Sequence, residues 1–392
     1  MRTIRHYQSG AVSLFVVIFA MLLITVVTVS FLRLMVADQQ RATNSDLSQS
    51  AYDSALAGTE DAKRSLLYFQ QICNQQGEAA CDAMIADMQS AECNLALQKT
   101  GIISATTGEV LVQQSSGDQE LQQAYTCVLM ALQTPDYIGN LAENKSKLIP
   151  LIGVSDTVTS VRVEWYSAED LSSTGSTANA VDLPALPKAS LISKDAWPQN
   201  RPPVMRTQLM QTGSSFTLAD FDTVSGSESN TNTLFLYPTS GVAAASQSFS
   251  TDTRKPDANG NPGTKSAAPV RCQSTVTGGM YACKLDMVLP NVIGGGDRTA
   301  FLRLTSFYGS THFRVSLLDG GGSVVKFDAV QPEIDATGRA NDLFRRVVSR
   351  VDLIDTSFPY PEAAVDLTGD FCKDFAITND VANYETSAEC EP

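Results

Sequence analysis

The sequence predicts an α+β fold: a long N-terminal transmembrane and stalk α-helix with a helical insertion, packed on an antiparallel β-sheet head. Three observations predict it. Residues 11–32 carry no charged side chain, and Arg33 closes that run. From Val36 onward, apolar and small residues recur at helical spacing with no proline to interrupt them. From about residue 156 the periodicity changes to alternation, in short runs separated by glycine-, proline- and serine-rich turns.

The uncharged run is long enough to span a bilayer, since 22 residues rise about 33 Å at 1.5 Å each. Arg2, Arg5 and His6 precede it and the acidic remainder follows, so the positive-inside tendency puts the N-terminus in the cytoplasm and the body outside. A cleaved signal peptide has a shorter apolar core followed by a small-residue cut site, which the 11–33 stretch does not offer. The transmembrane helix (11–33) therefore continues as a stalk helix (34–72). Leu47, Ala51, Ala55, Gly58, Ala62 and Leu66 mark one face of that stalk, which needs something to pack on.

Composition restricts the rest. The chain of 392 residues is long enough for two lobes, and 43% hydrophobic against 18% charged residues excludes wholesale disorder. The net charge of −14, or −16 once the two arginines of residues 1–10 are removed, makes nucleic acid an unfavourable default partner. Eight cysteines without a CxxC pair, beside only two histidines, argue against a zinc site and for disulfides in an oxidising compartment.

The leader MRTIRHYQSG, ending in Gly10 just before the apolar run, and the later SAYDSALAGTEDAKRSLL resemble type IV prepilin-class proteins. The nearest likeness is to PilX-like minor pilins and K-type minor pseudopilins, over about the first 65 residues. The resemblance implies that a prepilin peptidase cuts between Gly10 and Ala11 on the cytoplasmic face. The helix behind the cut then serves first as membrane anchor and later as filament core, among other pilin subunits. Two positions depart from the family pattern: Ala11 stands where Phe or Met is usual, and Phe15 replaces the glutamate of major pilins. Absence of that glutamate is a feature of the K-type subunits, which sit at the filament tip.

Residues 73–150 read as a disulfide-containing helical lobe. A turn at Gly77 leads to a second helix ending near Lys99, and DQELQQAYTCVLMALQ suggests a third over 118–133. Cys73 and Cys81 flank the turn, while Cys93 and Cys127 are placed to staple the second helix to the third. Four cysteines allow three connectivities, and spacing alone does not choose. Residues 156–392 read as a β-rich head. VTSVRVEWYSA puts Val161, Val163 and Trp165 on one face, and PVRCQSTVTGGMYACKLDMVLP reads as a hairpin turning at Gly278–Gly279 with Cys272 and Cys283 on its arms. TAFLRLTSFYG, THFRVSLLD and SVVKFDAV follow, then LFRRVVSRVDLI with Val347, Val351 and Leu353 toward the core. Cys372 and Cys390 would close the C-terminal tail, a loop whose closure contributes about 3 kcal/mol.

Catalytic patterns are sparse. The sequence contains no GxSxG elbow, no GxxxxGK[ST] loop and no HExxH helix, and His312 reads as a surface residue of a strand. The expectation is a protein without catalytic residues. Asp257, Asn259 and Asn261 alternate as in a calcium loop, but Pro262 and Ala268 occupy the positions where glycine and glutamate belong. Asp366, Asp370 and Asp374 form a second oxygen-rich stretch, a weak calcium candidate that the K-type likeness favours. Arg303, Arg314, Arg345, Arg346 and Arg350 read as a solvated sheet face rather than a DNA-binding one. The expectation is a minor pilin or pilin-like tip subunit, membrane-anchored and then part of an extracellular filament, serving assembly initiation, adhesion or uptake. The alternative is a stand-alone single-pass surface protein with an acidic ectodomain that binds a host or surface ligand.

Overall fold

A computed structural model of the chain describes residues 10–75, 78–104, 108–112, 122–154, 157–173, 180–185, 196–211, 231–241, 246–248, 268–295 and 300–353. The chain forms two compact units. The first comprises residues 1–130 and 334–349, the second residues 131–333 and 350–392.

The first unit is built on α1 (Gly10–Gln75), one helix of 66 residues and so about 99 Å long. Its C-terminal half buries Ala51, Ala55, Ala62, Leu66, Phe69 and Ile72, the face that the spacing predicts, with Leu47 half-buried at its start. A four-stranded sheet in the order β1 (Val110–Leu111), β2 (Ala124–Thr134), β14 (Phe327–Ala340), β15 (Leu343–Arg350) accompanies it. Small residues set the approach of helix to sheet. A Cβ on Gly338 of β14 would lie 2.2 Å from both the Ala51 carbonyl oxygen and the Ala55 nitrogen. A Cβ on Gly58 would meet Val128 Cγ2 at 2.9 Å and the Tyr125 ring at 3.0 Å. The Tyr125 hydroxyl donates to Asp61 on α1 (2.8 Å), and burial together with that carboxylate pushes the phenol far above its ordinary range.

Two short helices, α2 (Glu78–Met88) and α3 (Leu95–Lys99), cover the far end of α1. Disulfides Cys73–Cys81 and Cys93–Cys127 fix them, which selects one of the three possible connectivities. Buried Asn94, with φ 63°, exchanges hydrogen bonds with Val128 through both its backbone and its side-chain oxygen, beside the second disulfide.

The expected third helix is corrected to a strand. Residues 124–134 are β2, in which Val128, Met130, Leu132 and Thr134 alternate inward. The Gln, Ala and Leu content suggested a helix, but alternate burial against neighbouring strands decides the conformation. Within 73–150 the described helical residues therefore end at Lys99, and β3 (Tyr137–Leu141) and β4 (Ser146–Pro150) complete the stretch.

The second unit holds two sheets around one core. The six-stranded sheet runs β13 (Val324–Val325), β12 (Thr311–Leu318), β5 (Val158–Ser167), β10 (Tyr281–Ile293), β8 (Ser246–Ser248), with β3 also paired to β12. The five-stranded sheet runs β4, β11 (Ala300–Phe307), β6 (Val204–Gln211), β7 (Thr231–Thr239), β9 (Ala268–Arg271). Val161, Val163 and Trp165 of β5 are fully buried, as their alternation predicts, and pack in one cluster with Leu302, Leu304, Met205 and Leu209 of the other sheet. The sheets are mixed rather than purely antiparallel, because β8 joins β10 and β9 joins β7 in parallel.

That arrangement also corrects the hairpin. The turn at Gly278–Gly279 exists, with Gly279 at φ 78°, but its arms belong to different sheets and touch only through an isolated bridge at Cys272 and Cys283. The disulfide between them ties sheet to sheet instead of closing a two-stranded ladder. In β15, Val347 is only half-buried while Phe344 and Val348 are exposed. Beyond that strand Val351 is half-buried and Leu353 buried. Cys372, Cys390 and the tail lie outside the described residues.

A polar cluster locks part of the second unit. The Gln331 side chain donates to both the Ile138 carbonyl and Asp352 (2.8 Å each) and accepts the Ile138 N–H (2.9 Å). Asp352 also pairs with Lys147. Burial pushes the Asp352 carboxyl up, but hydrogen bonds from Lys147 and Gln331 outweigh it and hold the group below its ordinary range.

Two outcomes are expected. Gly338→Ala forces β14 off the helix backbone and costs about 1–3 kcal/mol or more, read as a lower melting temperature. Because the folded Asp352 carboxyl is depressed, its contribution is complete above the ordinary carboxyl pKa of about 4 and is lost as pH falls through the folded value. Asp352→Asn should cost about 1–3 kcal/mol at neutral pH and flatten that acid limb in pH-dependent denaturant melts.

Candidate functional site

The most unusual surface of the molecule is the first half of α1. Leu14, Phe15, Phe19, Met21, Leu22, Leu23, Ile24 and Phe31 are all exposed, and no 18-residue window of this half buries anything. Water would penalise such a surface heavily, as about 25 cal/mol per Å² of exposed apolar area. This helix is long and apolar enough to cross a membrane. Its hydroxyls fit that setting: Thr25, Thr28 and Ser30 each donate to a carbonyl three or four residues earlier, at 2.7–3.0 Å, so none needs water.

Gly10 is the first residue of α1, and Ala11 follows within the helix. Phe15 is 75% exposed on this apolar surface. The apolar surface continues past Arg33 to Val36, and from Asp38 the helix turns polar, with an Asp38–Arg41 pair at i,i+3, before the buried face begins near Leu47. One continuous rod thus offers an all-round apolar half and a half embedded in a folded body.

The remaining candidates resolve differently. Cys73, Cys81, Cys93, Cys127, Cys272 and Cys283 form three disulfides, which fit an oxidising compartment outside the cytoplasm. Asp366, Asp370, Asp374, Asp257, Asn259 and Asn261 lie outside the described residues. Among the described residues no group of three His, Cys, Asp or Glu side chains is gathered as metal ligands.

The arginines are largely ion-paired. Arg314 meets Glu164 (2.7 Å), Arg346 meets Asp335 (2.6 Å), and Arg350 meets both Glu333 (2.9 Å) and Asp136 (3.3 Å). Arg345 donates to the Ser48 hydroxyl. Cations matched in this way leave little positive field for a phosphate backbone.

His312 is not a bare surface residue, and sequence reasoning missed its partner. Its Nδ1 lies 2.7 Å from Asp170, which is 9% exposed. Asp170 belongs to α4 (Ala168–Ser173), where it accepts the Ser167 N–H and returns its own N–H to the Ser167 hydroxyl, as in a capping box. The same carboxylate accepts the His312 N–H, and the Thr311 hydroxyl oxygen accepts the N–H of Tyr166, whose φ is 68°. The Nε2 of His312 faces Glu169 at 3.6 Å, so both ring nitrogens meet carboxylates of α4 and the contacts clip α4 to β12. A Ser-x-x-Asp cap beginning at Ser167 was the available signal.

Comparison with protein-family models, with curated proteins and with solved structures finds no match.

Ile24→Arg should weaken membrane retention. A charge at the centre of a span costs about 2.5–3.5 kcal/mol of insertion free energy, so a larger share of the variant is expected in the alkali-extractable fraction while the parent stays in the pellet. Leu67→Arg, on the exposed side of the stalk, should leave that partition unchanged.

Proposed function

We propose that the chain is a minor pilin-class subunit of a type IV filament, held in the membrane by the first half of α1 and later packed through it among other subunits. The observation that supports this most directly is the uninterrupted helix Gly10–Gln75, apolar all round at one end and carrying a folded body at the other. A segment of that kind is at home in lipid, and the same side chains suit an apolar bundle of neighbouring helices. Read as the family's cleavage position, the Gly10–Ala11 bond stands immediately ahead of the uncharged run 11–32.

Phe15 supports a terminal position. A carboxylate inside an apolar bundle costs several kcal/mol unless a cation meets it. A subunit without that carboxylate does not need a neighbour's amino terminus at that point. Its apolar half can insert first, which suits a subunit that begins a filament or caps its tip.

The second reading is a stand-alone anchored surface protein. It shares the membrane span and the disulfides, and it differs in keeping residues 1–10. The distinguishing experiment is N-terminal sequencing of membrane-recovered protein from cells with and without prepilin peptidase. A chain beginning at Ala11 only where the peptidase is present is the expected result. An intact Met1 in both strains would replace the filament reading by the stand-alone one.

A further inference from the structure

We infer that α1 seats one phospholipid in a groove lined by Val29, Leu32, Arg33, Val36, Ala37 and Gln40, with the lipid phosphodiester on the Arg33 guanidinium. The lipid belongs to the leaflet at the C-terminal end of the span. The inference rests on the first half of α1 being a membrane span, and it is independent of filament assembly.

Arg33 lies inside the apolar surface rather than at its end. Leu34, Met35 and Val36, beyond the charge, are 60, 66 and 53% exposed, much as Leu22, Leu23 and Ile24 are before it. From Leu14 to Val36 the helix rises about 35 Å, against a hydrocarbon thickness of about 30 Å. A bilayer that covers this surface therefore holds the Arg33 backbone at the edge of the hydrocarbon instead of in water. Side chains on a helix are tilted toward its N-terminus, which at this end of the span is back toward the lipid interior. A cation at that depth is costly unless an anion reaches it.

The chain does not supply that anion. Among the described residues Arg33 makes no hydrogen bond or ion pair. The next acid along the helix, Asp38, lies about 140° further round and is taken up by Arg41 at 3.7 Å.

The groove fits a phospholipid part by part. Its residues recur at i, i+3, i+4, i+7, i+8 and i+11 from Val29, so they form one continuous face. Val29, Leu32 and Val36 give an acyl chain an apolar floor, and the small side chain of Ala37 keeps the groove open above them. Arg33 offers a planar fork that takes two oxygens of one phosphodiester. Gln40, about two turns above on the same face, adds an amide toward the headgroup layer. A second copy of the chain fits worse. Residues 11–37 contain no acid, so a copy at the same depth would set Arg33 against Arg33.

The test places the full chain in micelles of a phosphorus-free detergent and counts retained lipid by native mass spectrometry. Phosphatidylglycerol, a diacyl galactolipid without phosphorus, or inorganic phosphate is added. The parent should retain phosphatidylglycerol about ten-fold above the galactolipid, and inorganic phosphate should not displace it. Arg33→Gln should retain about ten-fold less phosphatidylglycerol, and Arg41→Gln, which alters a cation already paired, should match the parent. Equal retention of the two lipids, unaltered retention by Arg33→Gln, displacement by inorganic phosphate, or a dimer that excludes lipid would each overturn the site. Should Arg33→Gln fail to fold, judged by its thermal melt, Arg33→Lys carries the test. It keeps the charge and loses the fork, so it should retain several-fold less, and parental retention by that variant overturns the site. Reconstitution into bilayer discs separates the two readings. A chain that stays out of the discs overturns the span and the site together, whereas one that enters them without a phospholipid preference overturns the site alone.

Discussion

The first unit depends on how closely a strand can lie on a helix. Gly338 sits against the backbone of α1 between Ala51 and Ala55, with no room for even one methyl group. Contact at that distance brings two backbones together over their whole local surface, where larger residues would hold them apart. Gly58 repeats the arrangement one to two turns further along the helix, against Tyr125 and Val128. From Ala51 to Ala62 the buried stalk face is therefore written in Ala, Gly, Ser and Thr, and large side chains enter it only from Leu66 onward. Tyr125 then adds the directional part, reaching Asp61 with its hydroxyl across the same seam.

This division explains why one helix serves two environments. In the first half, large apolar residues point in every direction, since lipid or neighbouring apolar helices surround it equally. In the second half, small residues face the sheet while Glu60, Lys63 and Arg64 face water and pair along the helix. Helical propensity and the absence of proline carry the rod through the polar stretch between them. No hinge residue interrupts it, so movement of the apolar half and of its attached body are mechanically coupled.

Much of this was legible because helical periodicity is a long-range signal. The span, the stalk face from Leu47 to Leu66 and the β5 alternation at Val161, Val163 and Trp165 each repeat enough times to be unambiguous. What failed was short or non-local. QQAYTCVLMALQ is composed like a helix, and only its pairing, with β1 just before it and with the distant β14, makes it β2. The segment around Gly278 has every local mark of a hairpin, yet β9 and β10 find their partners in separate sheets. His312 and Asp170 are 142 residues apart, so their pairing has no spacing to betray it.

Charge gives the last connection. A chain with 42 acids and 28 bases has a carboxylate for every cation, yet the pairs that form are specific and join distant parts of the chain: Arg162 to Asp286, Arg314 to Glu164, Lys147 to Asp352. Exposed ion pairs contribute little, but these side chains are mostly less than one-third exposed, where an unmatched charge is costly.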